Sequence, residues 1–136
     1  MKRTLGLTLL LFATLFSCMR QEKPLPAELS RAESVMWEHP DSALSILRSM
    51  PQSSLSSGKN YATWALLLAQ ARDKVYGKRL PDSLNIPSSD KLVQDAMDYF
   101  EKEGDLKRMA QTYYYKGQLL KDQKKITEAM PFFLKS

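Results

Sequence analysis

Between Ala110 and Phe133 the chain reads AQTYYYKGQLLKDQKKITEAMPFF, and this stretch constrains the fold more than any other. Gly117 stands four residues after Tyr113 and three before Leu120. Ala129 comes twelve after Gly117, and Phe133 four beyond Ala129. At about 3.6 residues per turn, Tyr113, Gly117 and Leu120 share one stripe of a helix, and Ala129 and Phe133 share a stripe of a second. A residue without a side chain in the middle of the first stripe lets a neighbouring helix approach the backbone closely. Ala129 does the same from the other side, and the larger residues fill the space around the contact. The spacing predicts a helical hairpin with Tyr113, Gly117, Leu120, Ala129 and Phe133 as its packing core.

Aromatic-x-x-x-Gly-x-x-apolar followed by Ala-x-x-x-Phe resembles the tetratricopeptide-repeat family. The resemblance covers one nearly complete repeat, with two degenerate hairpins before it. Three features depart from the pattern. Lys116 stands where the family usually has leucine, Lys124 and Lys125 occupy a turn that usually carries glycine, and Pro131 lies inside the second helix. With Thr127 as N-cap, Pro131 falls at the edge of the first turn, where it removes one hydrogen bond. The resemblance implies an all-α fold of helical hairpins stacked as a short TPR-like solenoid, its inner, concave wall made by the first helix of each pair. On that wall the last repeat would present Gln111, Tyr114, Tyr115, Gln118 and Lys121 as a binding groove for a protein or peptide. Some such repeats grip acidic peptide tails with a lysine and an asparagine one turn apart. Tyr114 and Gln118 occupy the matching positions here, so that clamp is absent.

The Ala-x-x-x-large signature occurs twice more. Ala43 precedes Leu47 in DSALSILRSM, and Ala96 precedes Phe100 in DKLVQDAMDYFEKE. Before the first lies Ala27–Glu38, apolar at Leu29, Ala32, Val35 and Met36, stopping at His39-Pro40 with Asp41 as the next cap. SSLSSG, from Ser53 to Gly58, reads as a loop. Tyr61–Tyr76 is the most apolar helix, with Tyr61, Trp64, Leu68, Ala71 and Val75 on one broad face. Ser89 or Asp90 then caps the helix that Gly104 closes, and Leu106 begins the next. These readings give hairpins at about 27–50, 59–103 and 107–136. The connection 77–89 is longer than paired helices usually need and is either a surface excursion or a lip over the groove.

The N-terminus carries a different signal. Lys2 and Arg3 precede a twelve-residue apolar run, Leu5–Phe16, which suits a signal peptide and is too short for a membrane span of about 20 residues. Leu15-Phe16-Ser17-Cys18 resembles a bacterial lipobox, with Phe16 bulkier than usual. The resemblance implies a signal peptide at 1–17, cleavage before Cys18, and lipid attachment at that residue, the chain's single cysteine. Residues 18–26 would then be a tether, polar and bearing two prolines. Met19 follows the cysteine where no acidic retention residue stands, and by analogy this implies a bacterial cell-envelope location, extracytoplasmic and more in keeping with the outer than the inner membrane.

Composition narrows the chemistry. Val and Ile are too scarce for a convincing sheet. The net charge of +5 loses two positive charges with the leader, leaving an excess that permits contact with an anionic membrane but does not argue for nucleic acid. A single histidine, His39, excludes histidine-based triads and multi-histidine metal sites. His39-Pro40-Asp41 spells the loop tripeptide of J-domain co-chaperones, but a helix begins at once after it, so it reads as a helix stop and a cap. Glu101, Glu103 and Asp105 lie beside Lys102, Lys107 and Arg108 and read as a solvated charged face rather than an acid–base pair. Tyr113, Tyr114 and Tyr115 point about 100° apart and cannot all be core. Trp64 is expected in the core. No phosphate loop is present, and neither a cofactor, a metal nor an enzymatic activity is expected.

The expected function is a membrane-anchored, non-catalytic interaction scaffold binding a protein or peptide. Two alternatives accompany it: the extracytoplasmic sensing part of a longer signalling regulator, and a glycan-binding helical-repeat lipoprotein. Exposed Trp64, Tyr114 and Tyr115 would favour glycan binding. Ser136 follows Ala129 by only seven residues, so a truncated array is expected, with Phe132, Phe133 and Leu134 short of a neighbour.

Overall fold

The computed structural model describes residues 23–77 and 88–136; the leader, Cys18 and most of the 77–89 connection lie outside the described residues. Local chemistry sets each helix boundary. Helix α1 (Ala27–Val35) gives way to a turn three residues earlier than Glu38, since the chain must leave the helical region before a proline. Helix α2 (Pro40–Ser49) starts on that proline, with His39 at the cap position. The missing N–H of a proline costs nothing at the first helical position. Asp41, expected as the cap, instead sits in the first turn, facing the positive end of the helix. A short 3-10 helix, Gln52–Leu55, occupies much of the expected loop.

Ser57 caps α3 (Gly58–Tyr76), its hydroxyl accepting the Asn60 N–H at 3.1 Å. Ser88, not Ser89 or Asp90, caps α4 (Ser89–Glu103) through the Lys91 N–H at 3.3 Å. Gly104 ends α4 at φ 73°, and Asp105 caps α5 (Leu106–Asp122) through the Arg108 N–H at 3.0 Å. The turn before α6 (Ile126–Lys135) has Lys124 at φ 63°. There the Lys125 N–H reaches the Leu120 carbonyl and the Lys124 N–H reaches that of Lys121, both at 2.9 Å. This is the Schellman arrangement, whose left-handed position usually falls to glycine. Thr127 is not the cap of α6; that position is Lys125, which puts Pro131 in the second turn. The proline there leaves the Thr127 carbonyl without its helical donor.

Every helix packs against the next in the chain. Beyond these pairs, α1 touches α3 and α3 touches α5, whereas among the described residues α2, α4 and α6 do not touch one another. The described fold is all-helical, with no strand. Its centre is α3. Every residue from Ala62 to Arg72 is buried, so this middle stretch of the helix has no solvent face, and TWALLLAQA supplies apolar side chains all round it. Trp64 donates its indole N–H to the Leu47 carbonyl at 2.9 Å, satisfying the one polar atom of a buried ring. Around α3 lie Leu29, Ala32 and Met36 of the first hairpin and Val93, Ala96 and Phe100 of α4. Leu25, in the expected tether, also packs against this core.

Candidate interaction surface

In the last hairpin α6 crosses α5 at Gly117. A Cβ built on that glycine would lie 2.7–2.9 Å from atoms of the Phe133 ring, closer than any side chain tolerates without movement. Ala129 and Leu120 are buried, while Phe133 is half-buried. Tyr113 is half-buried too, and its hydroxyl donates to Glu101 at 2.7 Å. That hydrogen bond, ahead of burial, raises the Tyr113 pKa. Lys116, at the usual leucine position, lays its stem along the seam and ends 2.9 Å from Asp90 of α4. A long aliphatic side chain with a charged tip can thus fill an apolar position when a carboxylate waits at its edge.

The five expected groove residues do not form one surface. Tyr115 points inward: it is buried in the core cluster, near Gln70 of α3. Burial, with Asp73 adding to it, pushes its hydroxyl pKa up. Tyr115 therefore has no place on an open wall. The reason is the 100° step, which turns the residue after an exposed Tyr114 toward α3. Gln111 is half-buried and accepts from Arg108 at 3.3 Å. Tyr114 is 42 % exposed, and its hydroxyl accepts from Gln118 at 2.8 Å. Its ring meets Tyr115 and Phe133 edge to face, with centroids 5.2 and 6.1 Å apart. Lys121 is exposed at the end of the same strip.

Arg108 is not on a solvated face. Its guanidinium makes a two-pronged bond to Glu33, at 2.9 and 2.8 Å, across 75 residues of chain. The side chains are 10 % and 31 % exposed. The pair joins α1 to α5, the two helices that flank α3. Together with the burial of α3 on every side, it shuts the middle of the expected concave wall. Only the α5 end of that wall, Tyr114, Gln118 and Lys121, remains open. Glu101 and Glu103 are exposed as expected, but Asp105 is spent as a helix cap.

Sequence reasoning passed over two features. Asp73 and Asp122 line one small cleft with Tyr115 and Gln118. Burial first, then the charge of Asp122, raises the Asp73 pKa, against the opposing Lys74 and Lys121. An acid in the last turn of a helix otherwise apolar was the available signal. Trp37 is 75 % exposed in the turn before Pro40, with the Lys74 ammonium 3.4 Å from its ring centroid. Among the described residues no three metal-ligating side chains come together, and no helix is long and apolar enough to cross a membrane. Comparison with family models, with curated proteins and with solved structures finds no significant match.

Proposed function

We propose that the chain is a lipid-tethered, non-catalytic interaction module of the bacterial cell envelope. Cys18 anchors it, and hairpins stacked in the manner of tetratricopeptide repeats display a binding strip on α5. The alternation of contacts supports the stack: first helices meet first helices, and second helices stay apart. The observation that carries the binding reading is Tyr114. It is exposed, yet its ring is held edge to face by two aromatics and its hydroxyl by Gln118. An aromatic fixed at the surface before binding loses little entropy on contact and is the usual anchor of a protein interface. The occupant is a protein or peptide rather than a glycan, because two of the aromatics needed for sugar stacking, Trp64 and Tyr115, are buried.

Crosslinking and pull-down from intact membranes tests this reading. Tyr114→Ala with Gln118→Ala should lose most of the captured partner while the fold melts within a few degrees of the wild type. Retention of the partner by the double variant would remove the α5 strip from the function. The anchor is tested separately, with a fatty-acid analogue that should label the wild type and not Cys18→Ser; equal labelling of both would overturn the lipoprotein reading.

A further inference from the structure

Tyr114 and Gly117 stand three apart on α5 and are therefore neighbours on one side of the helix. Gly117 is buried and has no side chain. The Phe133 ring of α6 lies over its backbone, with Cε1, Cδ1 and Cζ at 2.7–2.9 Å from where a Cβ would stand. A ring seated that low on α5 comes up against the side chain one turn earlier. That side chain is Tyr114, met edge to face with centroids 6.1 Å apart.

Three groups hold Tyr114, and they are not equivalent. Tyr115 and Gln118 belong to α5 itself, so their contacts, 5.2 Å between ring centroids and 2.8 Å to the hydroxyl, accompany the helix wherever it goes. Water also competes for the Gln118 hydrogen bond, which is exposed. Of the three, Phe133 alone comes from another helix. The pose of Tyr114 is thus tied to the α5–α6 crossing through one ring, and that ring is seated by one missing side chain. An edge-to-face aromatic pair is favoured beyond its buried area. Without it, a helical tyrosine is free to choose between the staggered χ1 wells that its backbone allows.

We infer that Phe133 is a positioning residue for the Tyr114 strip, and that Gly117 serves binding by seating Phe133 as well as folding by admitting α6. The strip is then competent only while α6 is packed on α5. By linkage, a partner that requires the held Tyr114 tightens the α6 contact in return. This role in binding rests on the α5 strip proposed above, and Phe133 need not touch the partner. Loss of the ring would lower the held rotamer from nearly full occupancy to about one half or one third, so apparent affinity should fall about two- to threefold.

The test uses the isotope-labelled full chain, well below the melting temperature of each variant. Three-bond couplings from the backbone to the Tyr114 ring report its χ1 populations, and the wild type should show one rotamer. Phe133→Leu keeps an apolar residue at the crossing but removes the ring. It should give averaged couplings at Tyr114, while Tyr115, fixed in the core, keeps one rotamer. Gly117→Ala should also free Tyr114, because its Cβ displaces the Phe133 ring, and should do so at a melting temperature close to the wild type. Binding is then read by crosslinking the tagged chain, titrated into solubilised membranes, and scored on the species that Tyr114→Ala with Gln118→Ala loses. Both Phe133→Leu and Gly117→Ala should need about two- to threefold more chain for half-capture. A Tyr114 that stays in one rotamer in both variants would overturn the positioning role and leave the strip reading standing. Averaged couplings with unchanged capture would overturn the link between pose and affinity. Capture indifferent to Tyr114→Ala with Gln118→Ala would overturn the strip reading itself, and the binding role of Phe133 with it, whatever the couplings show.

Discussion

Helices α1 and α6 lie at opposite ends of the contact order, and their outer faces are unlike. Helix α1 buries Leu29 and Ala32 against α2 and α3 and turns Glu28, Ser30, Arg31 and Ser34 to water. Helix α6 buries one residue, Ala129, and turns Ile126, Met130 and Leu134 to water. The two helices are of nearly equal length, so the difference lies in patterning. The first has one apolar stripe for one set of neighbours. The second has a wider apolar arc, of which the hairpin contact with α5 covers only part. A helix whose apolar arc exceeds its covered arc is patterned for a further contact.

The largest expected effect falls where α6 meets α5. Gly117→Leu would drive a branched side chain into the Phe133 ring and should cost about 3 kcal/mol in chemical denaturation. Gly117→Ala sharpens the point. Its Cβ overlaps the same ring, but Phe133 is half-buried at the open end and can swing, so the clash should nearly cancel the helix-propensity gain of about 1 kcal/mol. A loss of several kcal/mol for the alanine variant would mean that α6 is held as rigidly as α1. At the other end, Glu33→Ala should cost about 2–3 kcal/mol, because Arg108 would keep its burial and lose its two-pronged partner. Glu33→Ala combined with Arg108→Met should recover part of that loss. If it recovers none, the pair contributes through packing and not charge.

Two turns compare the hairpins at smaller scale. Gly104 and Lys124 both adopt positive φ, at 73° and 63°, the first after α4 and the second after α5. Lys124→Gly should stabilise by about 1 kcal/mol, by relieving the Cβ strain, and Gly104→Ala should destabilise by about as much. Thermal melts that move both variants the same way would break the equivalence of the two turns.

The smallest effect is one of pH. Asp73 has a raised pKa, from burial and then from Asp122, and lies in the last turn of α3 where the helix dipole also disfavours negative charge. The folded state therefore holds the Asp73 proton more tightly than the unfolded state does. Its contribution to stability falls as pH rises from about 4 through the folded pKa. Asp73→Asn should melt slightly above the wild type at pH 7, with the advantage shrinking below about pH 4. An equal advantage at both pH values would assign the effect to packing.

Much of the fold is legible in local patterns. The Gly117–Ala129–Phe133 spacing marks the crossing of α5 and α6, the alanine signatures mark the second helices, and Trp64 lies in the core as its apolar surroundings indicate. What is not legible is what depends on partners far away in sequence. Nothing near Arg108 announces Glu33, and a run of charges around it reads as a solvated face. Tyr114 and Tyr115 are identical letters whose fates are decided by the position of α3. Lys124 conceals a left-handed turn because lysine does not advertise one. Asp41 and Thr127 look like caps, and each loses the position to a residue two places before it, His39 and Lys125. The candidate site suffered most, because a groove inferred from helix order assumes that its centre is open.

The enclosure of α3 has a consequence for how the molecule comes apart. Repeat arrays commonly unravel from their ends, each unit depending only on its neighbour. Here the middle helix is packed by both outer hairpins, and those hairpins are bolted to each other through Glu33 and Arg108. The amide protons of Ala62–Arg72 should therefore exchange with deuterium only when the whole domain opens, while those of α6 exchange through a local detachment that leaves the rest standing. A partner gripping α6 would slow the exchange of that helix alone. The protein would behave as one cooperative block carrying one loosely latched arm.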